Sequence, residues 1–270
     1  MNKLQKAFVM LLRKPRWKEY ESILSYAVSK GYNVTSLIDW YENLKGNPQA
    51  KVLIMRHDVD NDPHGAAKMH EIEKKLGVHS TFYFRWSTIE AALIEDIKTY
   101  GSEVGLHYET LADYAIEHNI YRGEEITPAI IEECRHTLKE EIKKFKEMFG
   151  EIKSISAHGA GRNEMLSTPN NVLVEGENLD EYGVVISAYN KEIHDLFDIY
   201  ISDGSVFDGY WRYGVSPVEA IDEGRRVICC LTHPCNWNYN LARNFRDLFR
   251  VALRRVATIG KCLGGYKREV

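Results

Sequence analysis

Short apolar runs recur along the chain, and most end abruptly in polar residues. The first begins at Val52 and stops in Arg56-His57-Asp58-Val59-Asp60. Such a run, followed at once by Asn61-Asp62-Pro63, predicts a strand buried on both faces, as in a parallel sheet. Strands are predicted at about Val52–His57, His79–Phe84, Glu103–His107, Lys153–His158, Gly183–Ala188, Ile199–Ser202 and Val227–His233. Between them the apolar period lengthens to that of a helix. Trp17, Tyr20, Leu24 and Ala27 mark one helix, and Ala66–Leu76, closed by Gly77, a second. Thr88–Tyr100 ends at Gly101, and a long helix opens at Thr127-Pro128 and ends at Gly150. Leu37, Trp40 and Tyr41 predict a further short helix, and Leu241–Val256 a last amphipathic one. About seven short strands alternating with helices predict an α/β fold with a mainly parallel sheet, able to close as a barrel.

No linker, low-complexity segment or fixed-period repeat interrupts residues 1–270, so a single domain is expected. Residues 1–50 read as a helical extension packed on the barrel, and 240–270 as a basic helix and tail. Gly159–Glu181 and Asp203–Pro217 are long polar stretches. Loops of that length tend to be functional, which makes both candidate walls of a cleft.

Composition narrows the class. A hydrophobic fraction of 44% allows a sizeable core, and 27% charged residues is ordinary for a soluble protein. No apolar stretch approaches the ~20 residues of a membrane span, and Ala7–Leu12 is too short for a signal peptide. Five cysteines without CxxC spacing, two of them adjacent in an apolar run, predict reduced thiols and a cytoplasmic protein.

Charge is uneven. Residues 1–18 hold six Lys or Arg and no acid, and residues 241–270 hold eight against two acids, so a chain of formal charge −4 leaves −16 to its middle. Nucleic acid is therefore not an expected partner. Arg243, Arg246, Arg250 and Arg254 form one stripe of the last helix. The ordinary meaning is a solvated face, and the sharper one a weak peripheral contact of the basic termini with an anionic membrane.

Candidate chemistry lies at the strand ends. Asp58, Asp60, His107, His158 and His233 each close an apolar run, and in a parallel barrel such ends converge on one face. Carboxylate and imidazole together suit a divalent metal, Zn²⁺ first. Three protein ligands with a position left open, a carboxylate base and a histidine acid would fit hydrolysis of an amide or ester. A set of satisfied core polar residues is the bland alternative, less expected when four separate strands each end in one.

The order His57-Asp58-Val59-Asp60, then Glu103-Val104-Gly105-Leu106-His107, then Leu231-Thr232-His233-Pro234 resembles the polysaccharide deacetylase (NodB-homology carbohydrate esterase) superfamily. The likeness covers about residues 17–240. It implies a distorted (β/α) barrel of about seven strands and a metal-dependent hydrolase that removes acetyl groups from N-acetylated sugars or surface-polysaccharide precursors. Some members of the family instead open cyclic amides. By the same resemblance, Asp58 is the general base, Asp60 and His107 are metal ligands, and His233 is the acid.

Two departures stand out. The second motif normally ends in a further histidine, where this chain has Leu111, and no Arg-x-x-Pro motif is evident; Ser156-Ala157-His158-Gly159 stands in its place. His158 is the favoured replacement ligand, Glu109 the alternative, and loss of the metal site, leaving a glycan-binding protein, the third reading. His57 is expected to point away from Asp58's face if the strand persists, in a supporting role. Asp203 is a candidate to orient His233, and Arg56, Trp211 and Asn236 are candidates for substrate contact. His194, with His118 and His136, reads as an ordinary surface residue.

Overall fold

The computed structural model describes residues 14–159, 161–204 and 210–239. The basic helix and tail expected over 240–270 lie outside the described residues, as do the first 13 positions. Among those described, no helix is long and apolar enough to cross a membrane.

Seven strands form one parallel path in the order β6-β5-β4-β3-β2-β8-β7. They are β2 (Val52–Val59), β3 (Thr81–Phe84), β4 (Glu103–Tyr108), β5 (Ser154–Ala157), β6 (Ile186–Ser187), β7 (Ile199–Ser202) and β8 (Val227–Thr232). An eighth, β1 (Asn33–Thr35), pairs with the start of β2, leaving the end of the same edge to β3. The segment expected to be a helical extension thus adds a strand as well as a helix. The fold is α/β with a curled sheet of seven parallel strands, as the pattern predicted.

The curl follows from where the two edge strands meet. Strands spaced ~4.8 Å apart would put β6 and β7 roughly 29 Å apart in a flat sheet. Instead the His194 ring lies 6.0 Å from that of Tyr189, just past β6, and 4.9 Å from that of Tyr200, on β7.

Side chains alternate strictly across the strands. On β2, Leu53, Met55, His57 and Val59 face the helices, while Val52, Ile54, Arg56 and Asp58 face the barrel. Helices α1 (Trp17–Ser29), α2 (Pro63–Leu76), α3 (Ala91–Tyr100), α4 (Thr110–Glu117) and α5 (Pro128–Phe149) cover the outside. Tyr20, Leu24, Met69, Ile97, Leu138 and Phe145 bury their apolar stripe against Phe82, Phe84, Leu106 and Ile155. Helix α2 starts on an Asp62 cap with Pro63 at the first position, and Gly77, at φ +69°, ends it.

The barrel floor is polar yet satisfied. Glu103 accepts from Thr81 Oγ1 at 2.6 Å and from the amide of Ile38 at 3.1 Å, and Ser154 donates to it. Burial holds the Glu103 carboxyl above its ordinary range. Gly105 lies between Glu103 and His107 on this face because nothing larger fits. A Cβ there would come within 2.5 Å of the Ser154 carbonyl and 2.6 Å of the Tyr83 ring.

Candidate metal centre

Above that floor sit two more layers. In the first, Arg56 is 1% exposed and grips Asp58 through two bonds, Nε to Oδ1 at 2.9 Å and Nη2 to Oδ2 at 2.7 Å. It also donates to Ser156 Oγ at 2.6 Å and lies over the Tyr189 ring at 4.3 Å. Burial alone would raise Asp58, but Arg56 and then His107 hold it below the ordinary carboxylate range. Arg56, expected to contact substrate, is instead an internal partner.

The second layer is the mouth. Asp60, His107 and His158 place one ligand atom each within 4.8 Å of the others. His107 Nε2 lies 3.3 Å and His158 Nε2 3.7 Å from Asp60 Oδ1, and His107 Nε2 is 3.4 Å from Asp58 Oδ2. The His107 Nδ1 faces the Ser156 carbonyl at 3.0 Å. A carbonyl only accepts, so that nitrogen carries a proton and leaves Nε2 as the ring atom a metal would bind. Asp60 Oδ1 is buried and receives no hydrogen bond. Burial would raise Asp60, but the proximity of His107, with His233 and His158 beyond, keeps it well below the usual range.

This donor set fits a divalent metal. Ligand atoms ~2.1 Å from a tetrahedral ion sit roughly 3.4 Å from one another, close to the separations here. The supports are rigid. Val59 and Asp60 carbonyls accept from Thr88 Oγ1 and Arg85 Nη1, both at 2.7 Å. The His158 amide continues the ladder to the Tyr108 carbonyl, and its own carbonyl accepts from Asn170.

Glu109 sits behind this cluster. It pairs with Arg85 and is 3.7 Å from His158 Nδ1, too far for a hydrogen bond. Burial would raise it, but His158 and Arg85 hold it down at about 2. Leu111 is fully buried in the core, on α4. His57 is not part of the cluster. It faces the helix layer, where Nε2 meets Glu73 at 2.7 Å and Nδ1 meets Thr232 Oγ1 at 2.6 Å.

His233 closes the opposite wall. Its Nδ1 lies 2.6 Å from Asp203 Oδ1, while Asp203 Oδ2 accepts from the His233 amide and from Trp237 Nε1, each at 2.9 Å. Burial would lower His233, but the Asp203 carboxylate pushes it up to about 9. Nε2 is left for the cavity.

Asp58, Asp60, His107, His158 and His233 all line one cavity of about 470 Å³. Tyr189, His194, Tyr200, Ser202, Arg212 and Tyr213, with Gly159 and Leu231, complete its wall. Three expectations are corrected here. Trp211 packs against Trp237, with ring centres 5.9 Å apart, and its neighbours Arg212 and Tyr213 face the cavity. Asn236 does not line it. His194 does, as a half-buried residue. The inner alternation of β7 could have pointed to Tyr200 and Ser202; no local signal marks Arg212.

No family model matches the chain, and no curated protein matches it. Among solved structures, it is similar to a mutant of a CE4 family pseudoenzyme with restored enzymatic activity, at 13% identity and a TM-score of 0.43, covering 78% of this chain and 65% of that one. The wild-type form of that pseudoenzyme, from Bacillus anthracis, is similar at 14% identity and a TM-score of 0.42, covering 70% and 56%. The chain thus spans less than two thirds of those structures. Likenesses this distant carry no argument about the site.

Proposed function

We propose that the chain is a metal-dependent hydrolase that removes an acetyl group from an N-acetylated sugar or surface-polysaccharide precursor. One observation carries the proposal. Three ligand-type side chains, Asp60 just past β2, His107 on β4 and His158 just past β5, converge, and the buried Asp60 Oδ1 among them has no hydrogen-bond donor. Asp60, His107 and His158 would hold the metal, with His158 serving where the resembling family has a histidine and this chain has Leu111. A divalent ion there supplies Lewis acidity, polarising a carbonyl and lowering the pKa of water.

The chain's own residues supply the proton transfers. Asp58 Oδ2 stands beside His107 at the cavity wall, placed to take the proton of a water attacking the amide carbon. His233 carries its proton on Nε2 at neutral pH and faces the same cavity, placed to protonate the departing amine. Asp203 holds the ring in that orientation. Tyr213, exposed at the cavity wall, offers an aromatic ring to a sugar.

Metal analysis with an acetate-release assay on N-acetylated oligosaccharides tests the reading. Stoichiometric metal, lost in Asp60→Asn, and activity lost in Asp58→Asn support it. A chain that takes up no metal sinks it. A non-catalytic glycan-binding protein is the second reading, favoured by the Arg56 grip on Asp58, which weakens a base. Saturable glycan binding by a metal-loaded chain that releases no acetate would select it.

A further inference from the structure

Among the described residues, every cationic side chain in or beside the cavity but one faces a carboxylate. Arg56 is matched by Asp58, His233 by Asp203, Arg85 by Glu109 and Lys191 by Asp195. Arg212 is the exception. It is exposed, it lines the cavity, and it forms no ion pair among the described residues.

The backbone that carries Arg212 is anchored to the site. Its amide donates to the Ser202 carbonyl at 2.9 Å, and the Gly204 amide donates to the Tyr210 carbonyl at 2.7 Å. Asp203 and Trp211 form an antiparallel bridge, so the strip is tied to the residue that orients His233. The Arg16 guanidinium lies between the Tyr210 and Trp237 rings, at 4.1 and 4.3 Å. Tyr210 has φ +73°, a conformation a bulky residue keeps only where its surroundings over-determine it. An arginine on a fixed strip is a recognition element, unlike one on a free loop, because less freedom is lost on binding.

The charge balance points the same way. Among the cavity's described charges, Arg212 has no carboxylate partner, and Asp60 faces only the imidazoles of His107 and His158. A divalent ion on Asp60 over-compensates it and leaves the cavity cationic, in a concave wall that focuses the field.

We propose that the cleft takes an anionic glycan, and that Arg212 reads a carboxylate or phosphate on the sugar next to the N-acetylated one. The inference rests on the deacetylase reading for the identity of the reacting group, but not for the charge. Arg212 presents a planar fork matched to such oxyanions.

The test uses the metal-loaded full chain and three N-acetylated oligosaccharides of equal length. One is neutral, one carries a uronic acid beside the N-acetylated residue, and one carries a phosphate monoester there. Calorimetry reads binding, and acetate release reads turnover. At least one charged probe is expected to bind about tenfold more tightly than the neutral one, and comparison of the two identifies the oxyanion. Arg212→Ala is expected to bring that ratio to one, and Arg212→Lys to retain part of it. Equal binding of all three probes, no binding of any, or a preference that survives Arg212→Ala overturns the inference. Charge-dependent binding without acetate release would leave it standing and remove the hydrolase reading. Acetate release with no charge preference in binding would do the reverse.

Discussion

Arg56 and Asp58 form a buried bidentate pair from positions two apart on one strand, with bonds of 2.9 and 2.7 Å. The alternation of β2 makes this geometry: residues i and i+2 share a face, so the guanidinium reaches along the strand to the carboxylate above it. Removing the arginine leaves a buried carboxylate with no counter-charge. Arg56→Met should destabilise the fold by about 3–5 kcal/mol, and the double change Arg56→Met with Asp58→Leu should recover most of it. Denaturant melts of the wild type and both variants check this. Equal losses in the single and double variants would show that the pair is not coupled.

Metal binding should appear as stabilisation. With Zn²⁺ at about 100 times its dissociation constant, the native state gains ~2.7 kcal/mol. A thermal shift on adding Zn²⁺ is therefore expected for the wild type and lost in Asp60→Asn and His158→Ala. Glu109→Gln should keep the shift and lower affinity less than His158→Ala does, because Glu109 faces His158 through charge at 3.7 Å and not through a hydrogen bond. Unaltered affinity in His158→Ala would assign the third ligand elsewhere.

The His233–Asp203 pair should set a pH limit on the proposed turnover. His233 is held up at about 9 by Asp203, so it remains a proton donor at neutral pH and loses that role as pH rises through its pKa. Activity should fall on the alkaline side. In Asp203→Asn the counter-charge is gone, so that limb should move to lower pH. His233→Ala should lower kcat by roughly 10²–10⁴-fold. An alkaline limb unmoved by Asp203→Asn would assign it to another group.

A second pH effect lies outside the cavity. Glu141 on α5 accepts from Thr110 Oγ1 at 2.6 Å, and burial, with the charges of Asp113 and Glu109, pushes it up to about 7. A carboxyl raised on folding favours the native state while protonated. Its contribution is complete below the unfolded value and is lost as pH rises through about 7. Glu141→Gln should therefore raise the melting temperature at pH 8 and leave it unchanged near pH 4. The reverse order, or no pH dependence, would contradict the burial of the charge.

Some of this architecture is legible along the chain. The bounds of α5 follow from Thr127-Pro128 and Gly150, because caps are local chemistry. The seven strands follow from apolar runs, because burial on both faces leaves a continuous signal. The third residue of the cluster, His158, was visible as a polar end to such a run. Strand β1 was not, because three residues carry too short a period, and its place beside β2 depends on which edge is open. Arg56 and Trp211 were misplaced for a related reason. Near a strand end, a one-residue difference in where pairing stops decides whether a side chain faces solvent, core or cavity. Pairing of Asp58 with Tyr83 and Val59 with Phe84 extends β2 beyond His57 and turns Arg56 inward.

By itself, the sequence determined the elements, their parallel alternation and the residue types that gather at the strand ends, since each is written in local period and composition. Only the tertiary structure decided which of those ends meet. The curl of the sheet brings β5 and β4 around Asp60, sets His233 across from them, and leaves Arg212 facing the same space. Those distances depend on register and curvature summed over seven strands, and no short stretch of the chain carries that sum.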